Sequence, residues 1–368
     1  MADIQLLRLP DLLRDWPCES RLSLFYQQCK QESSNWTTAF RPFDKKGQKA
    51  FDDCDLNLLA CLTYSNRDRE FIRLACDLMN FFFVYDEYTD VSDPSLARYF
   101  GDIVLDAMRL TKDRSTTSKH FLGEMTKDFW LRASAYAQAQ SNGNANQPTC
   151  LQNFITTMDN YVEAVACEAR DRAEGRTYNV EEYLELRRRT SGAEPTLAFI
   201  EFGLHLSQEI LEHPTIKALN AAAVEMVVIV NDMHSYMREV SCGLGYHNMI
   251  TVIMQQYGFH LQDAFNWLGT YSDKIVAGFN KNIAVLPSFG DDMDLRVRTY
   301  VEGLAQWIRG EDDWSFESKR YHGNRGILIR ETRILTIGHV EGHYLRPENP
   351  RQLDLQRHDV ISEVAIQA

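Results

Sequence analysis

The chain has 368 residues and a formal net charge of -13, with 44% hydrophobic and 11% aromatic side chains. That length and apolar content allow a large core, in one big domain or two ordinary ones. The acidic balance argues against a nucleic-acid surface, which needs a basic patch, but local arginines and bound cations can still turn a cleft toward an anionic small molecule.

At the N-terminus, "MADIQLLRLPDLLRDWP" is too charged for a signal peptide. No run of about 18 apolar residues exists to cross a bilayer, and the closing "AIQA" carries no prenylation cysteine. Eight scattered cysteines without C-x-x-C spacing read as small buried hydrophobes of a reducing compartment. The expectation is a cytoplasmic protein with no membrane-inserted segment.

Further along, "FIRLACDLMNFFFVY" repeats apolar residues at three and four, the helical period. "SDPSLARYF" offers Asp93 as an N-cap with Pro94 at the first helical position. "SNGNANQP", residues 141 to 148, reads as a polar loop between helices. Asn179 and Glu182 in "NVEEYLELRRR" form a capping box, and Pro214 restarts a helix in "HPTIKALNAAA". The Val/Ile run of "AAAVEMVVIVNDMHSYMREV" alone reads as a strand, but its length and continuing period favour a helix. The reading is all-α, one large helical domain. From about residue 324, "GILIRETRILTIGHVEGHYLRPENPRQL" mixes β-branched residues, glycines and prolines. Residues 1–323 are therefore read as the domain and 324–368 as a tail without an assigned structure.

Within "FFFVYDEYTD", residues 81 to 90, three phenylalanines run into Asp86, Glu87 and Asp90. On a helix Asp86 and Asp90 share a face, roughly 6 Å apart at Cβ. A divalent cation cancels their repulsion, and hard oxygen ligands suit Mg²⁺. The alternative for such a cluster taken alone is a solvated acidic helix end. In "NDMHSYMRE", Asn231, Ser235 and Glu239 lie at i, i+4 and i+8, along one helix face within about 12 Å of rise. Two oxygen-ligand faces look like opposite walls of one metal site. Arginines follow in "LRRRTSG" (Arg187, Arg188, Arg189, before Gly192), at Arg238 beside Glu239, and at Arg320 next to Tyr321. Guanidinium forks suit phosphate oxygens, so metal ligands beside arginines imply a polyphosphate.

With these motifs in order ("DEYTD", "RRRTSGAEP", "NDMHSYMRE" and "WSFESKRY"), the chain resembles class I terpene synthases, and more narrowly the sesquiterpene synthases of mushroom-forming fungi. The resemblance runs from "RLPDLLRDWP" to "WSFESKRYHG". It implies a helical-bundle lyase that ionises farnesyl diphosphate with three Mg²⁺ ions. It also implies that Asp86 binds two ions, that Glu87 and Asp90 contribute less directly, and that Asn231, Ser235 and Glu239 hold the third. Arg188 becomes the diphosphate sensor, ambiguous by one position within three consecutive arginines, with Gly192 at the break whose carbonyl faces the first cation. Arg238, Arg320 and Tyr321 bind diphosphate, and Phe83 and Trp307 line the pocket. Closure between the first and eleventh carbons, toward a protoilludene-type product, is the expected course; geranyl diphosphate as substrate and a homodimer stay open. His322 departs from the aromatic usual at its position, and Arg238 from a commonly uncharged one.

Rival readings fit less well. A prenyl elongation enzyme calls for a second aspartate-rich D-D-x-x-D, and a protonation-initiated cyclase for D-x-D-D, whereas "DDCD" at 52 to 55 has another order. His339 and His343 in "HVEGH" lack the glutamate placement of a zinc protease, and His358 with Asp359 lacks companion histidines. A non-catalytic helical scaffold remains the non-enzyme alternative.

Overall fold

The structure is a computed structural model that describes residues 4–90, 92–109, 120–139 and 149–338. The capping residues start helices where the sequence placed them. Asp93 Oδ1 accepts from the backbone N–H groups of Ser95 (2.9 Å) and Leu96 (3.0 Å) at the head of the helix Pro94–Arg109. Asn179 and Glu182 form the reciprocal capping box of Val180–Thr190. Pro214 opens a helix that runs through the Val/Ile stretch to Ser241.

The helices in order are α1 (Tyr26–Ala39), α2 (Lys45–Asp53), α3 (Leu56–Thr63), α4 (Arg69–Thr89), α5 (Pro94–Arg109), α6 (Phe121–Ala139), α7 (Thr149–Glu174) and α8 (Val180–Thr190). Then come α9 (Ala193–Ala198), α10 (Gln208–Leu211), α11 (Pro214–Ser241), α12 (Met249–Tyr257), α13 (Leu261–Ala284), α14 (Asp291–Glu317), α15 (Lys319–His322) and α16 (Gly326–Thr332). None is long and apolar enough to cross a membrane among the described residues.

Helix α14 packs on α3 and α11, α3 on α4, α4 on α5, α5 on α7, and α7 on α8 and α9, which returns to α11. The ring leaves a central space. Gly310 permits the α14–α3 contact, since a Cβ there would stand 2.6 Å from the backbone of Leu62 and Thr63. Between α8 and α9, Gly192 takes φ +73°, a left-handed conformation that breaks the helix at little cost for glycine.

The chain ends differ from expectation. Residues 324–338, left without an assigned structure by the sequence, continue the folded body. α16 packs on α14, and β2 (Ile334–Gly338) pairs antiparallel with β1 (Ile4–Arg8), Leu6 opposite Thr336. An isolated pair of strands is marginal in water. Here it is anchored: Gln262 of α13 exchanges hydrogen bonds with the Arg8 backbone (2.8 and 2.9 Å), and Leu7 and Ile337 are buried. The partner of each strand lies some 330 residues away in sequence, which local periodicity cannot reveal. The loop reading at 141–148, His339, His343, His358 and Asp359 lie outside the described residues.

Candidate active site

The central space is a cavity of about 1410 Å³ counted out to its open mouth. Helix α4 explains the juxtaposition in "FFFVYDEYTD". Its cavity face carries Met79, Phe82, Phe83, Asp86 and Asp90, spaced by three and four. The face passes from apolar to acidic over about 16 Å of rise. Phe81 and Tyr85 turn into the bundle and stack on one another.

Across the cavity, α11 repeats this order with Val227, Asn231, Ser235 and Glu239 at intervals of four. The third wall, α14, gives Trp307, Glu311 and Trp314, and α15 adds Arg320 and Tyr321 at the mouth. Asp86, Asp90, Asn231 and Glu239 are part-exposed and define the mouth, while Phe82, Trp307 and Trp314, 6%, 5% and 1% exposed, form the body. Asp86, Asp90, Asn231, Ser235, Glu239, Arg238, Arg320, Tyr321, Gly192, Phe83 and Trp307 are thus brought together around one space, as the sequence placed them.

Two residues are placed otherwise. Arg188 leaves the cavity for Glu225 of α11 (3.0 Å) and is 40% exposed. Arg187 faces the cavity instead, 14% exposed, with Nη2 at 3.3 Å from Asn231 Oδ1 and 3.4 Å from Asp232 Oδ1. Consecutive residues on a helix point about 100° apart, so only one of three arginines can enter. Glu87, likewise one step round α4 from Asp86, does not line the cavity. Its carboxylate sits 3.6 Å from Arg238 and 3.8 Å from Arg320, between the two guanidinium groups.

The mouth is rich in charge. Burial raises the Glu239 carboxyl above its usual range, and nearby Asp232 adds to this; Asn248 Nδ2 donates to it at 3.0 Å. Burial also works against ionised Glu168, yet His247 at 3.3 Å holds that carboxyl down at about 2. Asp232 accepts from the Tyr183 hydroxyl (2.6 Å) and the Met249 N–H (2.8 Å). Tyr321 accepts from Asn231 Nδ2 (3.0 Å), which turns the amide oxygen toward Arg187. Arg320 stacks over Phe83, 4.5 Å from its ring centre. On the basic side, Arg187 Nε, Arg238 Nη2 and Arg320 Nε are buried with no hydrogen-bond acceptor. Buried guanidinium N–H groups without a hydrogen-bond acceptor are costly, and a polyanionic ligand would satisfy them.

No cluster of three His, Cys, Asp or Glu side chains forms a closed metal cage among the described residues. The donors are instead carboxylate, amide and hydroxyl oxygens on two facing helices. That set fits a hard divalent ion that takes its remaining ligands from phosphate and water.

Sequence spacing gave no signal for Glu168, Arg172, Glu311, Tyr161 and His247, which also line the cavity. They come from other elements, and each sits in an ordinary helical or loop context. Asn248 alone left a trace, as the N-cap of α12. His322 keeps the packing of an aromatic, stacking on Phe316 at 5.5 Å, and adds a hydrogen bond to His234 (2.9 Å), itself 3.0 Å from Asp312. The "DDCD" segment is structural: Asp55 caps α3 and accepts from Tyr26 at 2.5 Å. Gly192 lines the cavity, and its carbonyl accepts from Thr196 N (3.2 Å) and Oγ1 (3.0 Å).

Comparison with known proteins agrees with this geometry. Residues 77–277 match the family described as terpene synthase family 2, C-terminal metal binding. The chain is 52% identical to sesquiterpene synthase Agr8 of Cyclocybe aegerita over 338 residues, covering 92% of this chain and 93% of that protein. It is 37% identical to a Delta(6)-protoilludene synthase of Armillaria gallica, covering 90% and 94%. Two solved structures share the fold: germacradien-4-ol synthase from Streptomyces citricolor (TM-score 0.68, 19% identity, 81% of this chain and 98% of that one) and linalool/nerolidol synthase from Streptomyces clavuligerus (0.69, 17%, 83% and 99%). With its ring of helices, its two oxygen-rich walls and relatives alike over nearly the whole chain, the protein belongs to the terpene synthase family, whose C-terminal region binds a divalent metal.

Proposed function

We propose that the chain ionises farnesyl diphosphate and cyclises the resulting cation to a sesquiterpene hydrocarbon, releasing diphosphate. The observation that carries this reading is the set of buried arginine N–H groups without acceptors at the mouth of an aromatic cavity. Divalent metal, three Mg²⁺ ions in this reading, would neutralise charge on the departing diphosphate. Asp86 and Asp90 on one wall and Asn231, Ser235 and Glu239 on the other would hold it.

The chain's own groups do the rest. Arg187, Arg238, Arg320 and the Tyr321 hydroxyl bind diphosphate oxygens, and Glu87 keeps two of those arginines aimed. Arg187 takes the sensor role first assigned to Arg188, because it alone of the three consecutive arginines reaches the cavity. Breaking the allylic C–O bond sends its electron pair to the diphosphate and leaves a cation on the farnesyl chain. Phe82, Phe83, Trp307 and Trp314 face that cation with π-electrons, an attraction of about 2 kcal/mol or more each where water is excluded. Ring closure follows as a double bond supplies its electrons to the cationic carbon. Loss of a proton then completes the hydrocarbon. The protoilludene synthases among the relatives favour bonding between the first and eleventh carbons.

Thermal unfolding with Mg²⁺, inorganic diphosphate and both together tests the site. Ligands at a hundred times their dissociation constant stabilise by about 2.7 kcal/mol. The reading predicts a rise in Tm that needs both ligands; no rise with both would sink it.

A further inference from the structure

Helix α14 turns Trp307, Glu311 and Trp314 to the cavity at i, i+4 and i+7. Two of these suit a hydrocarbon cation. The middle one is a carboxyl, 4% exposed, and its Oε2 has no hydrogen-bond partner. The other carboxyls that line the cavity have parts already: His247 pairs with Glu168, Asn248 donates to Glu239, and Asp86 and Asp90 belong to the proposed metal wall. A purely structural helix would carry a leucine there.

Burial, and then the neighbouring Asp312, push the Glu311 carboxyl well above the usual range, with Arg187 opposing and Asp232 adding. Both effects favour the protonated acid over the carboxylate. That form matters, because a carboxylate beside an allylic cation would form a C–O bond and end the reaction as an ester. The uncharged acid keeps the dipole of its carbonyl oxygen, which attracts positive charge.

We propose that Glu311 determines the product: its carboxyl, on the α14 face between two indoles, is the polar contact that holds positive charge against this wall while the rings close. It is not assigned as the terminal base, since its surroundings favour the protonated form. Nor is it a proton donor to an alkene, because the burial that retains its proton makes it a weak acid. This role rests on the reading of the cavity as the place where the cation forms.

The test is farnesyl diphosphate turnover and product analysis for the wild-type chain, Glu311→Leu and Glu311→Gln. Glu311→Leu removes the dipole and should change the ratio of main to minor products by about tenfold. Glu311→Gln keeps an uncharged carbonyl and should keep the main product. An unchanged product ratio in Glu311→Leu overturns the proposal. So does a Glu311→Gln profile shifted as far as that of Glu311→Leu, which would mean that the acidic proton itself is needed. Retained stabilisation by Mg²⁺ and diphosphate shows that a variant's mouth is intact. Should Glu311→Leu fail to fold, Glu311→Ala, which removes the carboxyl without adding bulk, is read the same way. A wild-type chain that forms no hydrocarbon would instead count against the cyclase reading.

Discussion

The mouth and the body of the cavity face opposite electrostatic problems. At the mouth, carboxylates, an amide and arginines crowd together, and three guanidinium N–H groups lack hydrogen-bond acceptors. In the body, aromatic rings close the space, and burial pushes the Glu311 carboxyl toward its protonated form. One region is built to take up charge from a ligand. The other is built to tolerate a cation without reacting with it. Substitutions at the mouth should therefore change how fast substrate is consumed, and substitutions in the body what it becomes.

The largest effects should follow from removing a metal-facing oxygen. Asp86→Asn or Asn231→Ala should lower turnover by at least about 100-fold, the scale seen when one preorganised electrostatic group is lost. The melting temperature should stay within a few degrees of wild type. Normal activity in either variant would remove the metal assignment. Neighbouring arginines sharpen the comparison further. Arg187→Ala should cost on the order of 100-fold in turnover. Arg188→Ala, which breaks only a partly exposed ion pair with Glu225, should stay within about fivefold. Equal losses in the two would show that facing the cavity does not decide the role.

In the body, Trp307→Leu should alter the product mixture by up to about 30-fold in ratio, as loss of a cation–π contact of about 2 kcal/mol allows. Diphosphate release should fall less than in the Asp86 and Asn231 variants. An unchanged product spectrum would take Trp307 out of the path of the cation.

Glu201 is a control outside the cavity. Burial raises its carboxyl to about 7, although Asn153 donates to it at 2.8 Å. Between about pH 4.5 and 7 the unfolded chain releases a proton that the native state retains, so stability falls as pH rises through this window. Glu201→Gln should flatten that slope and be the more stable form at pH 8, by on the order of 3 kcal/mol at most. Chemical denaturation at pH 5 and pH 8 would measure it. A slope unchanged by the substitution would contradict the assignment.

Much of this was legible in the sequence because helices carry their faces in their spacing. Asp86 with Asp90, and Asn231 with Ser235 and Glu239, share faces by period alone, and Asn179 announced its helix through a capping box. The choice among Arg187, Arg188 and Arg189 was not legible, because it depends on how α8 is rotated against α11. The pairing of β1 with β2 and the approach of Glu311 to the cavity depend on contacts between distant segments, which no local pattern encodes. Glu87 shows the same limit: it stands beside Asp86 in sequence, but packing sends it to Arg238 and Arg320.

The most direct test is to incubate the purified chain with farnesyl diphosphate and Mg²⁺, with and without a chelator, and to analyse the volatiles by gas chromatography and mass spectrometry. The account predicts a cyclic sesquiterpene hydrocarbon that disappears when the metal is removed. Farnesol alone, or a product indifferent to the chelator, would contradict it.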